Sequence, residues 1–435
     1  MSNKGVKIKE EIQMDKDYPL QQVPEKARVG IISISAVLLG FTFFTPTMLA
    51  GARVGVSFKF WPDFIMVLLG GSLILGLYVA LLSIVGANTG LTTVLLSRYT
   101  LGTVGAKWAD LLLGGTQVGW YGVTAAAMAE LFAQALGWQE YIIPLMIFWS
   151  IVMGITAYYG YKGMEILSYV SVPLILILGL WVVAKSIDHV GGWAALVNTS
   201  PTESMTVATA LTIIVGTFAS GGTQAPNWTR FSKSAKIAFW SALIAFLMGN
   251  GLMLFFGAVG AISYQEGDFV LILYKMGLIF WGIVLLTLNL WTTNDNAAYA
   301  FGVAGAEFFS VNNKKPFVVG GVIIATILAI TGIYGYLITW LIMLGIFIPP
   351  LGGVILGDYF FVWKKKLPPL SEMKFPALRW SAVVCYLLGT LAAYLGNKFG
   401  IGIAPLNGIV IAGITLPFVE NLFKSKHVSS ITQND

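Results

Sequence analysis

The stretch GFTFFTP at residues 40–46 interrupts a long apolar run with glycine, threonine and proline. A second stretch, GTFASGGTQAP at residues 216–226, interrupts another apolar run in the same way. Both contain a Gly, Thr, Phe core, and glycine and proline are the residues that weaken a helix most. The two stretches therefore predict two broken helices at related places in the fold.

The composition places these runs in a membrane. Hydrophobic residues make up 57% of the 435 residues and charged residues only 11%, against roughly 25% in soluble domains. We predict an all-α polytopic membrane domain over residues 29–423, between tails at 1–28 and 424–435. Twelve apolar runs approach the ~20 residues that cross a bilayer. They lie at about 30–51, 62–86, 108–135, 142–160, 165–187, 205–224, 236–263, 270–305, 316–334, 337–357, 378–397 and 403–423.

The two interruptions fall in the first and the sixth predicted spans, five spans apart. Unwound backbone at membrane depth is tolerated only where it is buried in protein or lines a cavity. Matched breaks in two halves are typical of transporters with inverted repeats, whose central site lies at the broken helices. The pattern predicts a five-plus-five inverted repeat in which two further helices are appended. Harmless kinks from glycine and proline are the alternative.

Basic residues indicate the orientation. With twelve spans and an internal N-terminus, 21 Lys and Arg residues fall on the cytoplasmic side and 5 outside. This asymmetry predicts a multi-pass protein of the cell (inner) membrane with both termini in the cytoplasm. The basic residues are spread over many short loops, so the net charge of +6 does not indicate binding to nucleic acid. The single cysteine, Cys385, excludes an intramolecular disulfide.

The sequence LNLWTTNDN at 288–296 places polar residues inside the eighth predicted span. Asn289, Thr292, Thr293 and Asn296 follow helical spacing, so they form one polar stripe on one face. Polar groups at membrane depth are costly unless they face the protein interior or a water-filled path. The stripe therefore predicts a binding or conducting site. Asp295 points off this face, and we expect it to make a structural hydrogen bond to a neighbouring helix.

The third predicted span contains GGTQVGWYG at 114–122. Gln117 and Trp120 are three residues apart, and Tyr121 and Thr124 continue the same side. An aromatic face stacks on a planar heterocycle, while an amide donates and accepts hydrogen bonds in its plane. These residues predict a slot for a flat polar ring. The alternatives are an interfacial anchor for Trp120 and an interhelical hydrogen bond for Gln117.

Other ionisable residues at membrane depth are few. We expect Glu130 to lie at the outer interface and Glu307 at the inner one, and neither to be buried, because each is near the end of a predicted span. His189 and His427 fall in a loop and in the tail. No histidine is therefore placed for a proton relay in the middle of the membrane, which favours sodium over proton coupling.

The motifs also resemble a known family. They are GFTFFTP, LLLGGTQVGWYG at 111–122, GTFASGGT followed by NWTRF at 227–231, LNLWTTNDN, and IPPLGGVILGDYF at 348–360. Together they resemble the nucleobase–cation symporter-1 family, most closely its bacterial cytosine permeases. The resemblance implies twelve transmembrane helices in a leucine-transporter-type fold, and alternating access driven by a sodium gradient. Repeat one would cover about residues 29–190 and repeat two about 200–360, with helices 11 and 12 at about 377–423.

The family's sodium site carries over to positions in the first and eighth spans. The resemblance implies that sodium binds the backbone carbonyls of Gly40, Phe43 and Asn289 and the hydroxyls of Thr292 and Thr293. The chemistry of these residues agrees with this assignment. A hard cation takes several oxygen ligands, and a broken helix frees carbonyl groups for it.

The family's base site carries over in the same way. The resemblance implies a base between two aromatic rings, with amides and a hydroxyl in its plane. The implied residues are Gln117, Trp120, Phe218, Ser220, Gly221 and the Asn289 side chain. For Phe218 the alternative is ordinary packing against a neighbouring helix.

We therefore predict a sodium-coupled importer of cytosine that acts as a monomer in the lipid bilayer. Two alternatives stay open: a symporter of another flat nucleobase, hydantoin or allantoin, and a proton-coupled amino-acid permease of the same fold. An intramembrane enzyme is not expected, because the chain has one cysteine, no midspan histidine and no H-E-x-x-H signature.

Overall fold

The computed structural model describes residues 17–333 and 337–423, without the side chains of 337–339. The predicted C-terminal tail and the first 16 residues of the predicted N-terminal tail lie outside the described residues. Most of the described chain is helical. An isolated parallel β-bridge joins Val29 to Ser232.

Up to residue 189 the described chain forms six α-helices, and a short helix, Trp193–Val197, follows them. The six are α1 (Ile31–Thr42), α2 (Thr45–Gly55), α3 (Ile65–Thr89), α4 (Thr93–Leu136, kinked at Gly102), α5 (Ile142–Tyr159) and α6 (Tyr161–His189). Local chemistry explains several helix ends. The Thr92 hydroxyl caps α4 by accepting from the Leu95 amide at 3.1 Å, and Gly137 ends it in a left-handed conformation with φ of 70°.

The second half begins with short helices around the second break. They are α7 (Val207–Gly216), α8 (Ala219–Thr223), α9 (Pro226–Thr229), α10 (Ala235–Ile244), α11 (Gly251–Tyr264) and α12 (Phe269–Lys275). Six further helices complete the described chain. They are α13 (Ile279–Phe308), α14 (Lys315–Ile330), α15 (Leu337–Phe347), α16 (Pro349–Gly357), α17 (Trp380–Phe399) and α18 (Ala404–Phe423).

Every predicted span overlaps helical residues, but fewer than twelve segments qualify as membrane spans by themselves. Among the described residues, seven helical segments are long and apolar enough to cross a membrane, and the bent pair of α1 and α2 makes an eighth. The other predicted spans fall on helices that are short, such as α7 with 10 residues, or rich in polar residues, such as α13. The count of twelve therefore stays a prediction.

The first predicted break is confirmed. Between α1 and α2, Phe43 and Phe44 adopt extended conformations, and the two helices are bent by 61°. Pro46 lies in the first turn of α2, where its missing N–H costs little. The backbone carbonyls freed by the break face α13, which is buried along most of its length.

The second predicted break is also confirmed. The chain leaves α7 at Gly216, and Phe218 has a non-helical conformation with φ of −130° before the short α8 begins. The two breaks meet in the centre of the protein. The ring of Phe218 lies 5.2 Å from that of Phe41 and 6.0 Å from that of Phe44, measured between centroids.

The N-terminal residues that the structure describes pack against the helical body beside the second break. Arg230, which is fully buried, donates hydrogen bonds to the backbone carbonyls of Asp17 and Tyr18 at 2.5 and 2.8 Å. It also donates to the Tyr299 hydroxyl at 2.9 Å. This arginine therefore ties the N-terminal segment to α13.

The side chain of Asp17 makes a second attachment. Its carboxylate pairs with Lys314 Nζ at 3.2 Å and accepts from the Tyr161 amide at 3.3 Å. Lys314 is 1% exposed, so this ion pair is almost completely removed from water. The segment from residue 17 onward thus joins the start of α6 to the turn before α14.

Candidate transport site

Oxygen atoms from the first break and from α13 meet at Thr293. Its hydroxyl lies 3.2 Å from the Phe43 carbonyl oxygen, 3.3 Å from that of Phe41 and 3.2 Å from that of Asn289. Thr293 is 4% exposed. This set contains backbone carbonyls and one hydroxyl, which are the oxygen ligands that a hard cation takes.

Thr292 and Gly40 lie beside this set. The Thr292 hydroxyl donates to the backbone carbonyls of Leu288 and Asn289 at 2.8 and 3.1 Å. A Cβ atom on Gly40 would lie 3.6 Å from Thr292 Cβ and 2.5 Å from Ser168 Oγ. The structure thus brings together all five residues that were predicted for the cation site. The Thr292 hydroxyl, however, donates its hydrogen bonds within its own helix.

The side chain of Asn289 has a different environment from the one predicted for a base partner. Its Oδ1 accepts from the backbone amide and the hydroxyl of Thr45 at 2.6 and 2.8 Å, and its Nδ2 lies 3.8 Å from Met253 Sδ. It therefore caps the first turn of α2. In this structure Asn289 holds the broken helix, and it does not line the aromatic cavity described next.

An aromatic cavity lies next to Thr293. The Phe44 ring is in edge contact with both predicted aromatic residues, at 5.4 Å from Trp120 and 6.0 Å from Phe218 between ring centroids. The centre of a water-sized sphere can occupy about 10 Å³ of this cavity. Such a space holds about one water molecule, so a planar base enters only if these rings move apart.

Two of the predicted polar residues meet at the edge of this cavity. Gln117 Nε2 donates to Ser220 Oγ at 3.1 Å, and the Ser220 and Thr116 hydroxyls are 2.6 Å apart. Gly221 also lines the cavity, where a Cβ atom would lie 2.5 Å from Phe41 Cζ. Only a residue without a side chain allows the two breaks to approach this closely.

Five residues that line the cavity were not among the predicted site residues. They are Phe41, Phe44, Thr217, Asn294 and Ala297. Phe44 is part of the first break, and an aromatic ring at a break is the signal that could have identified it. Asn294 belongs to the polar run at 288–296 but lies off the stripe that contains Thr293. Within the described residues, Asn294 Oδ1 is buried and has no hydrogen-bond partner, while Nδ2 lies 3.4 Å from the Tyr121 carbonyl.

The stripe did not identify Asn294 because α13 does not have a single buried face. Residues 292 to 296 are all at most 4% exposed, so neighbours surround the helix at this level. Asp295 is one of them, and its Oδ1 accepts from Asn296 Nδ2 at 3.0 Å. The hydroxyl of Thr156 on α5 also faces this carboxyl group.

The predicted interfacial position of Glu307 is wrong. Its side chain is completely buried, and Arg98 Nε and Lys107 Nζ, both on α4, pair with it. The physical reason is that α13 runs through the centre of the bundle up to its last turn, where α4 covers it. Glu130 is exposed, in agreement with an interfacial position.

Comparisons with known proteins agree with this geometry. The family model described as "Permease for cytosine/purines, uracil, thiamine, allantoin" matches residues 22–414. The chain is 35% identical to a cytosine permease of Escherichia coli strain K12 over 419 residues, which is 96% of this chain and 97% of that protein.

Two solved structures have the same fold. One is Mhp1, a nucleobase-cation-symport-1 family transporter in a closed conformation with bromovinylhydantoin bound, with a TM-score of 0.83, 17% identity and coverage of 95% of this chain and 97% of that one. The other is a Na⁺-coupled sialic acid symporter in a substrate-bound outward-open state, with a TM-score of 0.63, 14% identity and coverage of 93% and 92%.

These relatives are transporters and not enzymes, and the apolar helices agree with a multi-pass membrane protein. The chain therefore belongs to the nucleobase–cation symporter-1 family of membrane permeases.

Proposed function

We propose that this protein imports cytosine together with sodium by alternating access. In this proposal it is a monomer in the cell (inner) membrane, with twelve spans, a five-plus-five inverted repeat and both termini in the cytoplasm. The observation that carries the proposal is the position of Thr293. Its hydroxyl touches the carbonyls of the first break, and the same residue lines the aromatic cavity.

The proposal of sodium rests on the type of atoms around Thr293. The nearby ligands are neutral oxygen atoms from Phe41, Phe43 and Asn289, and such ligands suit a hard monovalent cation. The Thr293 hydroxyl has one hydrogen to donate among these carbonyls, and by rotating it can turn a lone pair towards an ion instead. The likeness to a Na⁺-coupled symporter supports the same choice.

The proposal of cytosine rests on the aromatic cavity and on the relatives. Trp120, Phe44 and Phe218 offer flat apolar faces, and stacking on such faces does not distinguish one base from another. The edge of the base must therefore be read by amides. Gln117 and Asn294 both line the cavity, and Asn294 has an unused buried acceptor that suits an exocyclic amine.

Coupling follows from the covalent link between the two sites. The Phe43 carbonyl belongs to the proposed cation site, and the next residue, Phe44, contributes its ring to the cavity. Asn289 holds the other side of the break through Thr45. An ion that fixes this backbone therefore also fixes the position of the Phe44 ring, so each ligand strengthens the binding of the other.

Uptake of labelled cytosine into proteoliposomes tests this proposal. We expect an inward sodium gradient to drive accumulation, and a proton gradient of equal size without sodium to leave uptake at the background level. Competition with uracil, adenine, hydantoin, allantoin and a neutral amino acid then ranks the substrates. Accumulation driven by protons alone, or competition by the amino acid and by none of the ring compounds, would contradict the proposal.

A further inference from the structure

Two acidic side chains face each other where α4 and α13 pack together, outside the residues of the proposed transport site. Asp110 on α4 is 3% exposed, and Glu307 in the last turn of α13 is completely buried. Their carboxyl groups lie within hydrogen-bonding reach of each other. Asp110 precedes Gln117 by seven residues, or two helical turns, so it lies on the same side of α4 as that residue.

The charged groups that act on this pair are Arg98 and Lys107, both on α4. Arg98 Nε donates to Glu307 Oε1. Lys107 Nζ lies 3.5 Å from Glu307 Oε2 but directs its hydrogen bonds to the backbone carbonyls of Glu307 and Phe308. The lysine thus caps the C-terminal end of α13. Neither Arg98 nor Lys107 donates a hydrogen bond to Asp110 within the described chain.

Three buried oxygen atoms of the pair are therefore left without a hydrogen-bond partner in the part of the chain that the structure describes. They are both carboxyl oxygens of Asp110 and Oε2 of Glu307. A buried carboxylate with no donor is strongly unfavourable, and it takes up a proton instead. One proton on Asp110 supplies the missing donor, because the new O–H group can donate to Glu307 Oε2. Two adjacent carboxyl groups that share one proton are a known solution to this problem.

We propose that Asp110 and Glu307 form a proton-binding site, in which protonated Asp110 donates a hydrogen bond to the Glu307 carboxylate. The proton exchanges with water on the side of Arg98 and Lys107, whose side chains are 22% and 33% exposed. Loss of this proton places two negative charges across the contact between α4 and α13. The site therefore senses pH at a junction between the helix that carries Trp120 and the helix that carries Thr293.

Infrared spectroscopy on the purified protein tests the proposal directly. A protonated carboxylic acid has a carbonyl stretch separate from that of a carboxylate, and this band shifts in D₂O. We expect such a band in the wild-type protein at neutral pH, its loss at alkaline pH, and a further shift when aspartate side chains carry ¹³C. A spectrum without a ¹³C-sensitive aspartic acid band at neutral pH would overturn the proposal, and this measurement needs no variant.

Variants assign the band to a residue. Asp110→Asn keeps the shape and supplies an N–H donor to Glu307, so we expect it to fold and to lose the band. Asp295→Asn is the matched control, because Asp295 is an equally buried aspartate on α13, twelve residues before Glu307, and its Oδ2 also lacks a hydrogen-bond partner among the described residues, so it can contribute an acid band of its own. An acid band that loses no intensity in Asp110→Asn would refute the assignment to Asp110.

Thermal unfolding against pH gives a second readout. A carboxyl group that is protonated in the folded protein at neutral pH binds more protons than in the unfolded chain, so stability falls as the pH rises. We expect the unfolding temperature of the wild type to decrease from neutral to alkaline pH by more than that of Asp110→Asn. Parallel pH profiles for the two proteins would contradict a proton on Asp110.

Discussion

The Thr293 hydroxyl lies 3.2 Å from the Phe43 carbonyl oxygen, so α13 is joined to the backbone of the first broken helix. The residue after Phe43 supplies the ring that packs between Trp120 and Phe218. One hydrogen-bonded contact therefore connects the proposed cation site to the proposed base site. This arrangement makes the binding of one ligand depend on the other.

Replacing Thr293 by alanine tests that connection. The change removes one oxygen ligand, and we expect sodium to bind roughly tenfold more weakly, which corresponds to ~1.4 kcal/mol. Cytosine affinity at low sodium should fall by a similar factor, and high sodium should restore part of it. Thr326→Ala is the matched control, because the Thr326 hydroxyl donates to the Val322 carbonyl of its own helix and to no other group among the described residues. Unchanged cytosine affinity at low sodium would exclude Thr293 from the cation site.

Gln117 and Trp120 should differ in how they affect the choice of base. Cytosine carries an exocyclic amine where uracil has a carbonyl, and an unmatched buried polar group costs about 1–3 kcal/mol. Gln117→Ala should therefore weaken the binding of cytosine and reduce the difference in affinity between cytosine and uracil. Trp120→Ala should weaken the binding of all bases to a similar extent, because stacking does not depend on the polar groups at the edge of a base. Competition assays measure both effects, and equal losses for every base in both variants would assign Gln117 a structural role.

Asn294 and Asn289 provide a comparison within one helix. Asn294→Leu removes the unused buried acceptor in the cavity, so we expect weaker cytosine binding and nearly normal sodium binding. Asn289→Leu removes the hydrogen bonds to Thr45 and should weaken the binding of both sodium and cytosine. Isothermal titration with each ligand separates the two. Loss of sodium binding in Asn294→Leu would show that this residue supports the ion and not the base.

Gly221 should not tolerate a methyl group. An alanine Cβ there would lie 2.5 Å from Phe41 Cζ, which is too close, and the Phe41 ring is held by Phe218 and Trp228. We expect Gly221→Ala to lower cytosine affinity at least tenfold, because the two breaks are forced apart. Gly115→Ala on α4 is the control, since a Cβ atom added there would meet no neighbouring atom within 4 Å. Cytosine binding assays on both variants measure this effect, and similar affinities would show that the breaks separate without cost.

The buried pair of Asp17 and Lys314 should contribute much more to stability than an exposed pair. Asp17→Asn leaves Lys314 with a buried charge and a weaker partner, so we expect a loss of about 3 kcal/mol in unfolding free energy. Glu203→Gln breaks the exposed pair with Arg53 and should cost less than ~1 kcal/mol. Thermal unfolding of both variants in detergent measures the difference. Equal effects would mean that the N-terminal segment is only loosely attached.

Much of this arrangement was predictable from local sequence. Glycine, threonine and proline at 40–46 and 216–226 predicted both breaks, because these residues weaken helices wherever they occur. The spacing of Thr292 and Thr293 predicted that both lie on one polar face, and the motif resemblance implied that this face meets the freed carbonyls. The spacing of Gln117 and Trp120 predicted a slot for a flat polar ring, and both line the same small cavity as Phe218.

Other features depend on contacts between residues far apart in the chain. The capping of Thr45 by Asn289, the Phe44 ring between two aromatic residues, and the burial of Glu307 by α4 are all of this kind. The sequence by itself determined the membrane class, the broken helices and the residue types at the site, since hydropathy and helix propensity are properties of short segments. Only the tertiary structure decided which polar groups face each other, because a helix buried on every side gives no signal in its sequence for the neighbour that each residue meets.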